Sequence, residues 1–377
     1  MNARVPDGGK PVVAILTMDD RRKLFRGNRK NFRDIIRTGH HLGFHVYVVT
    51  VRNLKLSGPT VLGYVPVSGS RQWNAVEMPL PQVVYNRIPS RDDEKRPSVR
   101  RKIEALLEHP SIHLYNPFFF NKWTLFEWLK GSRATVRFVP KTRRLRSAAT
   151  LQSMLETHDA LYLKPEEGKA GKGIMRLKYR SGVPLPYRLQ IQSGRKNITY
   201  KAATLPRLWA RVERETCGER YIVQQAVTLA EHGGRPFDLR LLVQKNGRGG
   251  WSLTGIGARL AGARSITTHV PRGGTTEEPK EMLEGMFGPE RAASILKGVP
   301  SAALLIARQI ERAAGFKLGE MSMDLGVDED GGLWFFEANS RPMKFDEPSI
   351  RKLSLERIFQ YSQYLGQQEP APYLERR

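Results

Sequence analysis

The stretch that most constrains this chain runs from Met321 to Asn339. Met321-Ser322-Met323-Asp324-Leu325-Gly326-Val327 and Leu333-Trp334-Phe335-Phe336-Glu337-Ala338-Asn339 are short apolar segments separated by Asp328-Glu329-Asp330-Gly331-Gly332. An acidic, glycine-ended connection between two such segments predicts a β-hairpin. Glu337 and Asn339, two apart, share one face of their strand. With Glu329 to Gly332 as the loop, Asp324 falls directly opposite Glu337, and Cβ atoms so paired stand roughly 5 Å apart. Like charges at that separation repel, so something positive is required between them. Two carboxylates and an amide oxygen are hard donors that suit Mg²⁺ carrying the phosphates of a nucleotide. The alternative is a solvated hairpin edge. The register decides, because a one-residue slip turns every side chain to the other face.

Composition sets the outer bounds. At 377 residues, 40% of them hydrophobic, with six Trp and fifteen Phe, the chain has length for two or three domains and material for a real core. A disordered protein is excluded. The single cysteine, Cys217, excludes internal disulfides and any cysteine-based zinc site within one chain, and it fits a reducing cytoplasm. Met1 to Lys10 hold no apolar signal core, and no run approaches the ~20 apolar residues of a membrane helix. The expectation is a soluble, non-secreted protein. Net charge of +25, with basic clusters at Arg21 to Lys23, Arg26 to Lys30, Arg100 to Lys102 and Lys141 to Arg146, attracts polyanions such as nucleic acid, acidic peptides, acidic polymers or anionic membranes. A plain solubility surface explains the same charge. Neither zinc-finger spacing nor an RNA-recognition aromatic motif accompanies it.

From the N-terminus, Pro11 to Met18 and Phe44 to Val51 read as buried strands. Asn31 to Leu42 between them has helix spacing in Phe32, Ile35 and Ile36, giving a parallel crossover. Leu62 to Val67 and Trp73 to Met78 predict a hairpin. Gln82 to Arg87 predicts another strand, delivering Asn86 and Arg87 to a loop, where the arginine meets a substrate anion or is simply surface. No Gly-x-Gly-x-x-Gly follows the first strand, so a dinucleotide fingerprint is absent. Asn121 is a candidate N-cap for a helix to Leu129. Lys122 in its first turn opposes the helix dipole unless an anion sits beside it. The chain through Arg146 reads as basic and irregular, and Thr150 to Glu156 as helical.

A second signal is Leu161-Tyr162-Leu163-Lys164-Pro165-Glu166-Glu167-Gly168-Lys169-Ala170-Gly171-Lys172-Gly173-Ile174-Met175. An apolar run enters and an alternating run leaves, so this glycine loop joins two strands. A P-loop differs, since it needs Gly-Lys-Ser/Thr before a helix. Gly168, Gly171 and Gly173 free backbone amides to turn toward an anion, and Lys169 and Lys172 add charge. The functional reading is a flap over phosphates, with Lys164 aimed at the same anion; a glycine-rich hairpin is the plain one. Pro184 to Tyr200 extends the sheet, and Leu205 to Glu215 is helical. Tyr221 to Val227 is a strand whose Gln224 and Gln225 interrupt the apolar run where an adenine edge would bond. Asp238 and Arg240 share a face on one strand of an antiparallel pair, as do Gly257 and Arg259 on the other. They form a structural ion pair or a phosphate site, for which arginine is well shaped; Arg259 is the preferred phosphate ligand. Thr267 to Glu278 is a polar loop holding His269, substrate-facing or incidental. Ser301 to Ala314 is a long helix. Arg341 lies near enough to Asn339 to reach a transferred phosphate or an anionic substrate. No repeat or low-complexity segment is present, and the chain beyond Leu365 reads as frayed.

This order of elements resembles the ATP-grasp superfamily, and in detail the YheC/YheD family of endospore-associated proteins. The likeness is carried by Val84-Tyr85-Asn86-Arg87-Ile88-Pro89-Ser90-Arg91, Phe237-Asp238-Leu239-Arg240, and Met323-Asp324-Leu325 through Glu337-Ala338-Asn339. It implies α/β and α+β architecture: two α+β subdomains clasping ATP, preceded by a Rossmann-like domain. We place the limits at 1–117, 118–226 with the flap, 227–365 with the metal site, and a tail from 366 to 377. By the same resemblance Lys122 and Lys164 contact phosphates beneath the 168–173 flap. Gln224, Gln225, Ala226 and Val227 form the adenine hinge, Arg259 holds the γ-phosphate, and Asp324, Glu337 and Asn339 hold Mg²⁺. Glutamine at the hinge, where many relatives have a carboxylate, and His269, where glutamate-ligase relatives usually carry Asn, depart from the pattern.

The expected activity is ATP-dependent ligation of a small-molecule or peptide carboxylate to an amine or thiol through an acylphosphate, with ADP released and Lys164, Arg259 and Arg341 offsetting charge. The expected setting is the cytoplasm, in a mother cell or spore. The rivals are a non-catalytic spore-associated protein that keeps the nucleotide fold, and a polyanion binder.

Overall fold

The computed structural model describes residues 9–168, 171–345 and 347–369. Lys169, and the part of the expected tail beyond residue 369, lie outside the described residues.

The N-terminal unit contains β1 (Val13–Thr17), the short ribbon β2 (Asp19–Asp20) and β3 (Leu24–Phe25), α1 (Arg29–His41), β4 (Val46–Thr50), β5 (Thr60–Pro66), β6 (Trp73–Pro79), β7 (Val83–Asn86), α2 (Arg91–Glu94), α3 (Pro97–Leu107) and β8 (His113–Tyr115). Its sheet runs β6-β5-β4-β1-β7-β8. β1 lies parallel to β4 and β7, and β7 parallel to β8, so the strand–helix–strand reading holds, with the β5–β6 hairpin added at one edge. β1 and β4 are buried on both faces, as parallel strands covered from two sides must be. Asn28 starts α1 by accepting from the Asn31 amide.

The middle of the chain holds α4 (Lys122–Lys130), β9 (Thr142–Leu145), α5 (Ala148–Leu155), β10 (Ala160–Pro165), β11 (Met175–Tyr179), β12 (Tyr187–Ser193), β13 (Lys196–Ala202), α6 (Leu205–Thr216) and β14 (Tyr221–Gln225). These strands make an antiparallel sheet in the order β13-β12-β11-β10-β14-β9. Leu151, Met154, Leu208 and Val212 of α5 and α6 seal one face. β9, which pairs with β14, was not expected from the sequence: Thr142-Arg143-Arg144-Leu145 is too charged to signal a strand, and it is one because it lies at the sheet edge.

The third sheet, β18-β17-β16-β19-β20, is built from β15 (Glu231–His232), which pairs with β16 (Arg235–Lys245), β17 (Trp251–Leu260), β18 (Thr275–Glu277), β19 (Glu320–Val327) and β20 (Leu333–Asn339). α7 (Pro279–Phe287) and α8 (Pro289–Ala314) lie between β18 and β19, and α9 (Pro348–Gly366) follows β20. α8 starts twelve residues before the expected helix: Pro300 reads as a helix breaker, but the helix carries it internally. One face of this sheet buries Phe237, Leu239, Leu241, Met321, Met323, Leu325 and Phe335 against α8. The other carries Asp238, Arg240, Asp324, Glu337 and Asn339.

The hairpin reaches the expected pairing by a different route. Val327 pairs with Leu333, so the connection is 328–332, one residue longer than assumed. A bulge at Phe336 then restores the register, and Asp324 does stand opposite Glu337. The bulge turns Phe336 onto the charged face, over Gly326, where any Cβ would collide with the ring.

Packing crosses the limits drawn from sequence. α4 buries Leu125, Phe126 and Leu129 in the core of the third sheet. α9 sends Ile358, Phe359, Tyr361 and Leu365 into the core of the N-terminal unit. Asn116 joins these parts: fully buried, in the left-handed region at φ 56°, its Oδ1 accepts from the amides of Gly319 and Glu320 while its Nδ2 donates to the carbonyls of Glu320 and Ser340. Asn116→Ala strands those groups and is expected to cost about 2–4 kcal/mol. Asn116→Gly loses the same bonds but relieves the backbone, so it costs about 1 kcal/mol less; equilibrium urea denaturation of both variants checks the order.

Candidate active site

The site grows out of the third sheet. Across four strands, Gly257, Arg240, Asp324 and Glu337 are direct cross-strand neighbours in one row. In the next row Arg259 faces Asp238. The positive partners demanded by the opposed acids are present. Arg259 is 3% exposed and grips Asp238 with two bonds, Nε to Oδ1 at 2.9 Å and Nη2 to Oδ2 at 3.0 Å. The same Nη2 meets Asp324 Oδ2 at 2.7 Å. Arg240 stands 3.9 Å from Asp324 Oδ1. Thr268 Oγ1 donates to Asp238 Oδ2.

Burial works against charge on Arg259, but Asp238 and Asp324 outweigh it and raise its pKa further above its ordinary value. Burial likewise works to raise Asp324, and Arg259 followed by Arg240 overcomes it, leaving the carboxyl below the usual range. Arg259 and Asp324 thus hold each other in their charged forms.

Glu337 is answered from another element. Lys122, 6% exposed in the first turn of α4, sends Nζ to Glu337 Oε1 at 3.0 Å and to the Gly168 carbonyl at 3.3 Å. This is the anion that the unfavourable dipole position asked for. Lys164 projects from β10, and its ammonium lies 5.1 Å from the centre of the bulged Phe336 ring. It donates to Gln224 Oε1 at 2.7 Å. Burial pulls Lys164 down to about 8, with Lys122 acting in the same direction and Glu337 opposing.

The glycine loop lies over this cluster. Gly168, Gly171 and Lys172 line a crevice with Lys122, Pro165, Ile174 and Glu337. Gly171, at φ 70°, has its missing Cβ position 3.3 to 3.4 Å from Thr267, Arg272 and His269, so the flap meets the 267–272 segment there. Gly173, at φ 74°, passes so close to the Tyr221 hydroxyl that a side chain would collide. The flap's base is pinned by buried Glu166, which bonds Arg144 and the cap residue Asn121.

Comparison with known proteins gives the arrangement a family. Residues 111–365 match the YheC/D-like ATP-grasp domain. The chain belongs to that family. It is 28% identical over 366 residues to the endospore coat-associated protein YheD of Bacillus subtilis, covering 95% of this chain and 79% of that one. It is 22% identical over 276 residues to YheC of the same organism, covering 73% and 74%. Among solved structures it shares the fold of D-alanyl-alanine synthetase A from Vibrio cholerae (TM-score 0.53, 14% identity, 95% of this chain and 96% of that one). The ATP-grasp ligase PsnB with its minimal precursor gives 0.53, 13%, 93% and 99%. The D-cycloserine synthetase DcsG gives 0.51, 16%, 92% and 99%.

Within this ATP-grasp site the residues singled out from sequence divide. Lys122, Lys164, Gly168, Gly171, Lys172, Arg259, Asp238, Arg240, Asp324 and Glu337 are brought together. Gly173 flanks the crevice through Tyr221, and Asn339 sits two pairs farther along its strand, opposite Ser322 on the same face. Gln224 departs from its expected role: its amide is spent on Lys164 and on Thr142 Oγ1, so it positions the lysine instead of offering an edge to a base. Gln225 accepts from the Lys141 amide, and the Ala226 amide donates to Ala160; Val227 follows them out of the strand. Arg341 also departs. Its guanidinium is buried on Glu94 and on the carbonyls of Ile88, Asn116 and Pro117, stacked 4.1 Å from the Phe119 ring centre. It ties the N-terminal unit to the end of β20, and its hydrogen-bond and ion-pair partners among the described residues include neither Asp324 nor Glu337.

A divalent cation fits the donors present. Asp324 Oδ1 is buried with no hydrogen-bond partner among the described residues, and a carboxylate oxygen so placed is a ligand in waiting. His269 was missed as a member. Its position in a polar loop gave no periodic signal, yet one of its ring nitrogens, a carboxylate oxygen of Asp324 and one of Glu337 lie within 4.8 Å of one another.

Removing Arg259 tests the ionic set. Arg259→Met leaves two buried acids uncompensated and is expected to destabilise by about 3–5 kcal/mol at neutral pH. Asp324 has a lowered folded pKa, so the stability it contributes is full above the unfolded value of about 3.9 and is lost below it. The wild-type advantage should therefore shrink as pH falls below about 4, measured by chemical denaturation across pH 3 to 7.

Proposed function

We propose that this chain is an ATP-dependent ligase that joins a carboxylate to an amine or thiol through an acylphosphate, releases ADP, and works in a spore-associated setting. One observation carries the reading: two opposed acids, Asp324 buried and Glu337 partly so, ringed by Lys122, Lys164, Arg240 and Arg259, lie under a glycine loop. A scaffold has no need of paired carboxylates at that cost. The curated relatives bear endospore coat names, and solved neighbours of the same fold are synthetases and ligases.

In this reading Lys122, Lys164 and the amides of the 168–173 loop hold the phosphate chain, and residues 224–227 border the base. Asp324 and Glu337, with Asn339 beside them, hold Mg²⁺. When bound, the ion supplies charge neutralisation at phosphate oxygens. Arg259 keeps Nη1 for the transferred group, since its other nitrogens are engaged. A substrate carboxylate oxygen attacks the γ-phosphorus and the bond to the ADP oxygen breaks. The amine or thiol then attacks the acyl carbon and expels phosphate. No side-chain nucleophile is needed; the protein's part is placement and electrostatics. The N-terminal unit and the 267–278 loop are where a small-molecule or peptide substrate is expected.

Screening carboxylate and amine pairs for stimulated ADP formation is the direct test, with Glu337→Gln as blank. Asp324→Ala should lower turnover by about 10³-fold. If ATP binds and no pair ever stimulates ADP release, the non-catalytic role takes over.

A second outcome follows from Lys164. At a pKa of about 8 it is partly neutral at pH 8 to 9, and adjacent phosphates favour the charged form. Nucleotide binding there should take up a proton, so the calorimetric enthalpy should vary with the buffer's ionisation enthalpy. Lys164→Met should remove that dependence.

A further inference from the structure

His269 is the one member of the cluster to which the reading above gives no task. Its Nδ1 is buried and makes no hydrogen bond among the described residues, as is also true of Asp324 Oδ1. Stranding a buried polar atom is costly, and two stranded within one small cluster point to something that completes both.

The residue is firmly placed. Its carbonyl accepts from the amides of Arg272 at 2.8 Å and Gly274 at 3.3 Å. The preceding Thr268 is tied to Asp238, and the missing Cβ of Gly171 on the flap stands 3.4 Å from Nδ1 itself. His269, Asp324 and Glu337 each offer one ligand atom, all within 4.8 Å of one another. A divalent first-row ion holds nitrogen and oxygen at about 2.0–2.2 Å, so even ligands on opposite sides of it stand only about 4.0–4.4 Å apart. With separations of up to 4.8 Å, the three atoms must draw together for one ion to hold them all. Small side-chain rotations close that gap.

We propose that His269 is a protein ligand of the metal at this site, giving a set of one imidazole and two carboxylates that prefers a first-row transition ion such as Mn²⁺ to Mg²⁺. The proposal rests on the nucleotide-and-metal reading of the same cluster. It differs in the donor set: Asp324, Glu337 and Asn339 alone are all oxygen and favour Mg²⁺, whereas an imidazole nitrogen is a borderline donor that Mg²⁺ accepts poorly.

The test uses the full chain with Mn²⁺–ADP and pulsed electron paramagnetic resonance, comparing protein grown with natural and with ¹⁵N-labelled histidine. A directly coordinated histidine nitrogen gives a modulation that changes with the label and is lost in His269→Asn. Competition should show Mn²⁺ bound at least about tenfold more tightly than Mg²⁺ in the ADP complex, a preference that shrinks in His269→Asn. Bound Mn²⁺–ADP without a histidine signal in the wild-type protein overturns the proposal and leaves the nucleotide reading intact. Failure of both Mn²⁺–ADP and Mg²⁺–ADP to bind overturns the two together. The labelled wild-type measurement stands even if the variant folds poorly.

Discussion

Two carboxylates facing each other across adjacent strands set the terms for much of this molecule. Full charges about 5 Å apart repel by about 3 kcal/mol at an effective dielectric constant near 20. A hairpin that brings Asp324 against Glu337 therefore holds only if cations arrive from elsewhere. They come from three places: Lys122 from α4, Arg240 and Arg259 from β16 and β17, and Lys164 from β10 in a different sheet. The electrostatic requirement thus links segments far apart in sequence, and α4 is drawn onto the core of the third sheet as its first turn docks on Glu337. Stability and site share the same contacts.

Much of this was legible because the chemistry is local in sequence. Asp324, Glu337 and the glycine-ended turn lie within a single hairpin, and strand periodicity alone puts Asp238 beside Arg240 and Gly257 beside Arg259. What escaped is instructive. Leu333, Trp334, Phe335 and Phe336 are all apolar, so no alternation marks which face the core, and the bulge at Phe336 leaves no trace in composition. The expected pairing survived because the longer loop and the extra residue cancel. Pro300 hid the true length of α8, since a proline is tolerated once flanking turns are held by packing.

The remaining differences arise from tertiary context. Gln224 sits where a base-reading residue was expected, but burial between Lys164 and Thr142 commits both ends of its amide. Arg341 is next to the metal strand in sequence, yet its side chain turns back toward Glu94 and three carbonyls. His269 shows the reverse: an unpatterned loop residue carried into the cluster by folding of the 267–278 segment over the cleft. Proximity along the chain was a good guide for strands and a poor one for long side chains and loops.

The shared core of α9 and the N-terminal sheet has a consequence for biosynthesis. Val13, Ile15, Val46 and Val83 share one core with Phe32, Ile35 and Ile36 of α1 and with Phe359, Tyr361 and Leu365 of α9, so these strands stay partly uncovered until a helix far later in the chain is made. Translation advances at about 5–20 residues per second. The N-terminal sheet must therefore wait roughly 10–50 s on the ribosome with one apolar flank covered by α1 alone. Nascent-chain shielding by chaperones matters most for that interval, and a chain ending before Pro348 would leave that flank half open.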